Sequence, residues 1–364
     1  MDICPLCDSA STAVVYEVDL PLKTWTKGLS ETGPLRLSMC QNCGHLWNAA
    51  HEVGQDTIIY RDQPLSNKPV TAGMMHRYQA VLDFIGDANL RGKSIVEIGA
   101  GAGDVARKLA ALGDHVTLFE PNQNLTSTAS NMTVINGFFE PTVMADIIIA
   151  RQVMEHVPDP IAMLRGIADT LRPGGLAYLE VPNGAEVADA GLWHDIHHPH
   201  VHYYRPQTFI AACARFGLRA EKITYIMDNH DFGVLLSRDG DLQAEEAPPT
   251  VIQVGDRLDR AKTAYLDFVQ QAPFGLFGAT AVSVPMANAG PRPSIVYDDN
   301  EELWSWQTPR LVDDPIDISA PTHFPIKRIA IAAYLHADPI VRRLRENGFE
   351  GEIFDPRQGA HNTV

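Results

Sequence analysis

Residues 94–104 read Ser-Ile-Val-Glu-Ile-Gly-Ala-Gly-Ala-Gly-Asp, and no other stretch restricts the fold as much. Ile95, Val96 and Ile98 are β-branched and apolar, as a strand covered on both faces requires. Gly99, Gly101 and Gly103 alternate through a tight turn. Val105, Ala106, Leu109, Ala110 and Leu112 then recur at helical spacing. A strand, a glycine loop and a helix open a doubly wound α/β unit. The pattern predicts further strands at 116–120, 146–150, 176–181 and 222–227, alternating with helical stretches, hence a mostly parallel sheet. Ligands of such sheets sit beyond the carboxyl ends of the strands. Attention therefore falls on Glu97 to Gly103, Glu120, Gln152 and the residues after Pro182.

The loop's chemistry narrows the ligand. A dinucleotide fingerprint spaces its glycines as G-x-G-x-x-G, with a helix N-terminus aimed at a pyrophosphate. Here the spacing is G-x-G-x-G, and Glu97 stands directly before it. A carboxylate there repels a diphosphate but suits a cationic or hydrogen-bond-donating ligand. Glu120 ends the second strand, where it can accept both hydroxyls of a ribose. A phosphate-free nucleoside fits both acids, and S-adenosylmethionine is such a molecule; the bland alternative is a tight turn with no ligand. Phe138 and Phe139 fall between the second and third of these strands, where either ring could equally belong to the core.

With these residues in view, the stretch from about Leu90 to about Leu236 resembles the class I S-adenosylmethionine-dependent methyltransferases. The likeness rests on Glu97 to Gly103, Phe119-Glu120-Pro121, the run from Asp146 to Pro158 that contains Gln152 and Glu155-His156, and Leu171-Arg-Pro-Gly-Gly175. It implies a Rossmann-like core. It also implies cofactor contacts from Glu97, Gly99, Ala100, Gly101, Gly103, Glu120, Pro121, Phe138, Phe139 and Gln152. Glu155 and His156 would be structural or close to the cofactor.

Four of the five cysteines pair by spacing. Cys4-Pro-Leu-Cys7 and Cys40-Gln-Asn-Cys43 enclose 32 residues. Two such knuckles offer four thiolates to one structural zinc ion, with no position left for water. Asp8 and Gly44 suit the sharp turn after each knuckle. The alternatives are reduced thiols at chance spacing or a redox pair, and the latter lacks its usual βαβ context. Cys213, in an apolar helical stretch, reads as core.

A chain of 364 residues accommodates several domains, and the reading divides it into five. Residues 1–50 form a zinc-binding module, with strands near Ala13–Val18 and Leu35–Met39. Residues 51–90 form a helical connector, and 91–240 the cofactor-binding core. A linker and a helix, predicted over Arg257–Gln271, occupy 241–274. Residues 275–364 form a smaller C-terminal Rossmann-like α/β domain whose glycine loop has lost its tight pattern. Acids outnumber Lys and Arg by 45 to 29, for a net charge of −16. That argues against nucleic-acid partners, which select basic surfaces. No long apolar run or leader-like start stands out, so neither a membrane partner nor a cytoplasmic exit is expected.

Five of the 14 histidines fall within residues 194–204, His-Asp-Ile-His-His-Pro-His-Val-His-Tyr-Tyr. Such density suits acid–base chemistry, metal ligation or structural packing. The order of the parts resembles the zinc-containing sugar C-methyltransferases of deoxysugar biosynthesis. That resemblance implies a nucleotide-linked keto sugar as small-molecule substrate, with a base that removes the proton next to the ketone. It maps onto His198 and His200 before Tyr203-Tyr204, His230 in Met227-Asp-Asn-His230, and approximately Tyr60; two carboxylates and a tyrosine of that pattern are absent here. His200 or His198 is the expected base, with His230 and Tyr60 assisting. An O- or N-methyltransferase on the same scaffold, a zinc-finger RNA base methyltransferase and a non-catalytic scaffold are the alternatives. The sequence does not specify an oligomeric state.

Overall fold

The computed structural model describes residues 2–28, 30–52, 54–55, 72–121, 125–127, 129–237, 250–271, 273–311 and 314–357. Tyr60 and most of the connector before the first long helix lie outside them.

Three sheets carry the chain. The N-terminal sheet begins with β1 (Thr12–Pro21), β2 (Thr32–Cys40) and β3 (Leu46–Asn48), all antiparallel. The central sheet follows with β4 (Ser94–Ile98), β5 (His115–Phe119), β6 (Met132–Ile135), β7 (Ala145–Arg151) and β8 (Leu171–Pro182), which pair in parallel. A two-residue strand, β9 (His202–Tyr203), leaves that sheet and closes the N-terminal one against β3. β10 (Arg219–Ile226) and β11 (Asp231–Ser237) return as a hairpin, β11 antiparallel to β8. The central order is thus β10-β11-β8-β7-β4-β5-β6. Its switch point lies between β4 and β7, where the strand order reverses and a crevice opens.

The predicted strands agree with the observed ones to within a few residues. The sequence makes them so because their middles are apolar and buried: Ile95, Val96 and Ile98 in β4, Ile147 to Ala150 in β7, Ala177 to Leu179 in β8. Within the expected helical connector, a helix runs Ala72–Ile85 and buries Tyr78, Val81, Leu82 and Ile85.

The third sheet contains β12 (Gly275–Phe277), β13 (Ile295–Tyr297), β14 (Gln307–Thr308), β15 (Ile316–Ser319), β16 (Arg328–Ile331) and β17 (Glu352–Phe354), in the order β14-β15-β13-β12-β16-β17. Five of them are parallel, and β14 is an antiparallel edge. The C-terminal unit is therefore Rossmann-like, with its own switch point between β12 and β16.

Two boundaries differ from expectation. The helix expected at Arg257 starts at Val251, inside the stretch read as linker. Thr250 and Gln253 form a reciprocal capping box there, which satisfies the first turn's amides. The N-terminal module is also not self-contained. It borrows β9, and Tyr16, Leu20, Trp25 and Leu35 share one core with Tyr265, Phe274, Leu276 and Tyr334. Among the described residues, no helix is long and apolar enough to cross a membrane.

Candidate active site and metal centre

Beyond β4, the glycine loop turns on left-handed residues: Gly99 has φ 71° and Gly101 φ 54°. A Cβ at Gly99 would stand 2.4 Å from Val153 Cγ2, so only glycine lets the loop approach the chain leaving β7. Around Gly101 a Cβ would meet nothing within 4 Å. The loop thus edges open space, and its backbone is exposed to an incoming ligand. Ala100 is buried beneath it, and Gly103 starts the helix Asp104–Leu112.

Both strand-end acids border this loop. Glu120 Oε2 accepts from Gly101 N at 2.7 Å, which fixes the loop against β5. Glu97 is buried, and its Oε2 has no hydrogen-bond partner. Burial pushes its carboxyl up to about 8, with the nearby Arg151 only partly offsetting the effect. A buried acceptor without a donor is costly, and a ligand bringing an ammonium or hydroxyl to this point would relieve the cost. The residues present therefore fit a cationic, phosphate-free nucleoside.

The other expected contacts separate. Pro121 is exposed just past Glu120. Phe138 is 72% exposed, its ring open to solvent. Phe139 packs edge-on against Phe119, with ring centroids 5.2 Å apart, and covers Gly166. Its ring is half-buried, packed against the core. Gln152 follows β7 in a left-handed conformation, φ 54°, uncommon for a residue with a side chain. With its amide assigned in the orientation that satisfies both neighbours, the nitrogen stands 3.2 Å from Glu155 Oε1 and the oxygen 3.2 Å from Arg77 Nη2.

Beneath Gln152 lies a charge network for which the sequence reading had no place. Glu180 accepts from Arg77 at 2.6 Å, Arg151 at 3.1 Å and Tyr178 at 2.9 Å. Against the cost of burial, the two guanidinium groups hold its carboxyl below the usual range. Arg77 also meets Asp231 at 2.5 Å. The signal for Arg77 was there: it lies three residues after Met74 and four before Val81, a charge inside an apolar helical stripe.

The histidines divide into three groups. His198 turns away from the loop; its Nε2 lies 3.0 Å from the carbonyl of Gly33, so it ties β2 to the histidine segment. His202 Nδ1 pairs with His45 Nε2 at 3.0 Å inside the N-terminal sheet. His200, His197 and His156 converge, with ring centroids 4.2 Å apart for His197–His200 and 5.2 Å for His156–His200. Burial and the neighbouring imidazoles hold His200 well below its ordinary range, hence neutral at pH 7.

His230 stands alone between two carboxylates. Its Nε2 meets Asp195 Oδ2 and its Nδ1 meets Asp231 Oδ1, each at 2.9 Å. Tyr334, from the C-terminal unit, donates to the same Asp195 oxygen at 3.1 Å. Against burial, Asp195 and Asp231 push His230 up to about 10. With both nitrogens engaged, His230 is a cation that joins the core to the C-terminal unit, and it has no lone pair to offer a substrate. Its ionic stabilisation is complete below about pH 6.5 and drains away as pH rises through about 10. The stability gap between the parent and His230→Gln, read from urea unfolding, should therefore be on the order of a few kcal/mol near pH 6. It should close toward pH 10; a gap that widens in alkali contradicts the assignment.

In the N-terminal unit, Cys4, Cys7, Cys40 and Cys43 hold their sulfurs within 4.8 Å of one another. Cys4–Cys43 and Cys7–Cys40 are separated by 3.7 and 3.6 Å. Four sulfurs about 2.3 Å from a tetrahedral ion would stand about 3.8 Å apart. Asp8 and Gly44 take the positive φ expected after each knuckle, and their amides bond back to Cys4 and Cys40. The knuckles dock on the core: Thr208 donates to the carbonyl of Cys43 at 2.6 Å, and Arg215 bonds to Leu6 and Asp8. These four thiols could hold a metal ion. Cys213 is fully buried.

Comparison with known proteins agrees with this geometry. A family model described as a methyltransferase domain matches residues 71–223. The ubiquinone biosynthesis O-methyltransferase of Aromatoleum aromaticum is 30% identical over 173 residues, covering 39% of this chain and 71% of the relative. That of Aeromonas salmonicida is 31% identical over 125 residues, covering 30% of this chain and 52% of the relative. The C-methyltransferase NovU of Streptomyces niveus is 23% identical over 234 residues, covering 61% of this chain and 55% of the relative. The chain thus spans only about half the length of two of these three relatives.

Proposed function

This chain belongs to the class I S-adenosylmethionine-dependent methyltransferases, and we infer that it methylates carbon on a polar small molecule, a nucleotide-linked keto sugar or a close analogue. When bound, S-adenosylmethionine supplies an electrophilic methyl group. The chain's own residues would do the rest. Glu97 receives the donor's ammonium, Gly99 to Gly103 make room for it, and Glu120 accepts from the ribose. Phe138 offers its exposed ring to the base. The acceptor enters at the same strand ends, against the neutral histidine group led by His200, where its acidic proton leaves. Arg77, Glu180, Asp231 and His230 hold that wall rigid. Tyr334 brings the C-terminal unit up to it, which makes a cleft suited to an acceptor larger than a simple metabolite.

The observation that carries this reading is the orphaned Glu97 carboxylate beside the Glu120-anchored loop, with neutral imidazoles at the same sheet edge. Carbon as the methylated atom is supported by the extent of the likeness. The C-methyltransferase matches 61% of this chain, the O-methyltransferases 30% and 39%. Those O-methyltransferases favour a second reading, transfer to a hydroxyl oxygen. The four thiols would bind zinc in a purely structural role, since all four positions of a tetrahedral ion would be filled.

His200→Ala tests the acceptor side. It should leave donor binding within about twofold and reduce turnover at least 100-fold, the usual span for a lost acid–base group. Full activity in that variant rejects the assignment. Deuterium exchange next to the ketone of a keto-sugar nucleotide, followed by NMR without the donor, separates the readings: exchange supports carbon, and its absence supports oxygen.

A further inference from the structure

Glu155 is the unexplained group in this cleft. Its carboxylate is 0% exposed, and Oε2 has no hydrogen-bond partner. The nearest cation, Arg77, is spent on Glu180 and Asp231. Burial and those two acids drive its proton affinity well up. Beside it stand two imidazoles. One oxygen of Glu155, one nitrogen of His156 and one of His200 all lie within 4.8 Å of one another. His156 is held for ligation: Nδ1 donates to the carbonyl of Pro199 at 2.5 Å, which fixes the tautomer and turns Nε2 toward Glu155 Oε1, 3.7 Å away. A backbone carbonyl on the far nitrogen is the usual support of a metal-bound histidine. The two segments are further joined by Val201 N to Glu155 O at 2.7 Å. Ligands on one ion at about 2.1 Å stand roughly 3.0–4.2 Å apart, so small side-chain rotations would close the site.

We propose that Glu155, His156 and His200 bind a divalent first-row transition-metal ion, distinct from the ion of the four thiols, with open coordination positions facing the acceptor. Two imidazoles and one carboxylate suit such ions and leave room for an acceptor oxygen as a further ligand. The ion would compensate the buried carboxylate. His200 would then act as its ligand in place of the base, and His197 of the same group, its ring 4.2 Å away and its Nδ1 without a hydrogen-bond partner, would take the acceptor's proton. The proposal rests on the alkylation reading for the acceptor's place in the cleft.

The test uses the full chain with its thiols saturated with zinc. Co2+ is titrated in and followed by visible absorption, where a sulfur-to-cobalt band marks any ion entering the thiol site instead. The parent should bind one further Co2+ without that band. Glu155→Gln and His200→Asn should each weaken it at least tenfold while still binding S-adenosylhomocysteine, which certifies their fold. His198→Asn should leave Co2+ binding unchanged. Entry only at the thiols, or undiminished binding in both variants, overturns the proposal. If S-adenosylhomocysteine binds and Co2+ does not, the alkylation reading stands alone; if Co2+ binds and S-adenosylhomocysteine does not, that reading falls and the metal site remains.

Discussion

Glu120→Ala is expected to weaken S-adenosylhomocysteine binding at least 100-fold, beyond the range of an ordinary calorimetric titration. Two roles are lost together. The carboxylate anchors the amide of Gly101 at 2.7 Å, so its removal frees the glycine loop. It would also accept from the ribose hydroxyls of the ligand. Hydrogen bonds to a charged group contribute roughly 1.5–3 kcal/mol each, and losing two exceeds the threshold for a 100-fold effect. The fold should survive, because the strand before Glu120 is built from Val116, Leu118 and Phe119, all buried. Unchanged affinity in a folded Glu120→Ala protein would mean that the ligand lies elsewhere.

The second large effect concerns the thiols. On the zinc assignment proposed above, Cys40→Ser should release the ion and lower the melting temperature by more than about 10 °C. A structural zinc site contributes on the order of 10 kcal/mol in isolated modules. Even half of that shifts a unit of this size by roughly 2–4 °C per kcal/mol. The damage should spread beyond the knuckles, since Cys4 and Cys40 pack in the same core as Ile148, Leu179 and Phe209. β9 would also lose its partner strand, and the histidine segment that ends in His202–Tyr203 would lose its anchor. Donor affinity should fall with it. Elemental analysis of the parent should give zinc bound through these cysteines; a metal-free parent with an unchanged melting curve in Cys40→Ser would remove the structural role.

How much of this was legible in the residues follows from range. The core strands were readable because each is a short apolar run between turn signals. The knuckles were readable because a spacing of two residues fixes their geometry locally. β9 was not, because two residues carry no periodicity, and their partner Leu46–Trp47 lies more than 150 positions away. The partners of His230 were also hidden. Asp195 meets Tyr334 across 139 residues, and nothing local marks either one. The early start of the helix Val251–Val269 was masked by Pro248-Pro249 and nearby acids, although Thr250 and Gln253 carried the capping signal. Phe139 was ambiguous for the same reason: an aromatic after a strand reads alike whether it faces a ligand or the core. In the histidine segment, composition marked a special region, but only the fold separates His198 and His202, turned to the N-terminal sheet, from His197 and His200, gathered with His156.

The central claim is that a phosphate-free, positively charged adenosyl donor binds between Glu97 and Glu120. Calorimetric titration of the purified chain with S-adenosylmethionine, and separately with NADH, tests it most directly. The account predicts one S-adenosylmethionine site per chain and no heat from NADH; a preference for NADH, or no binding of the sulfonium compound at all, would contradict it.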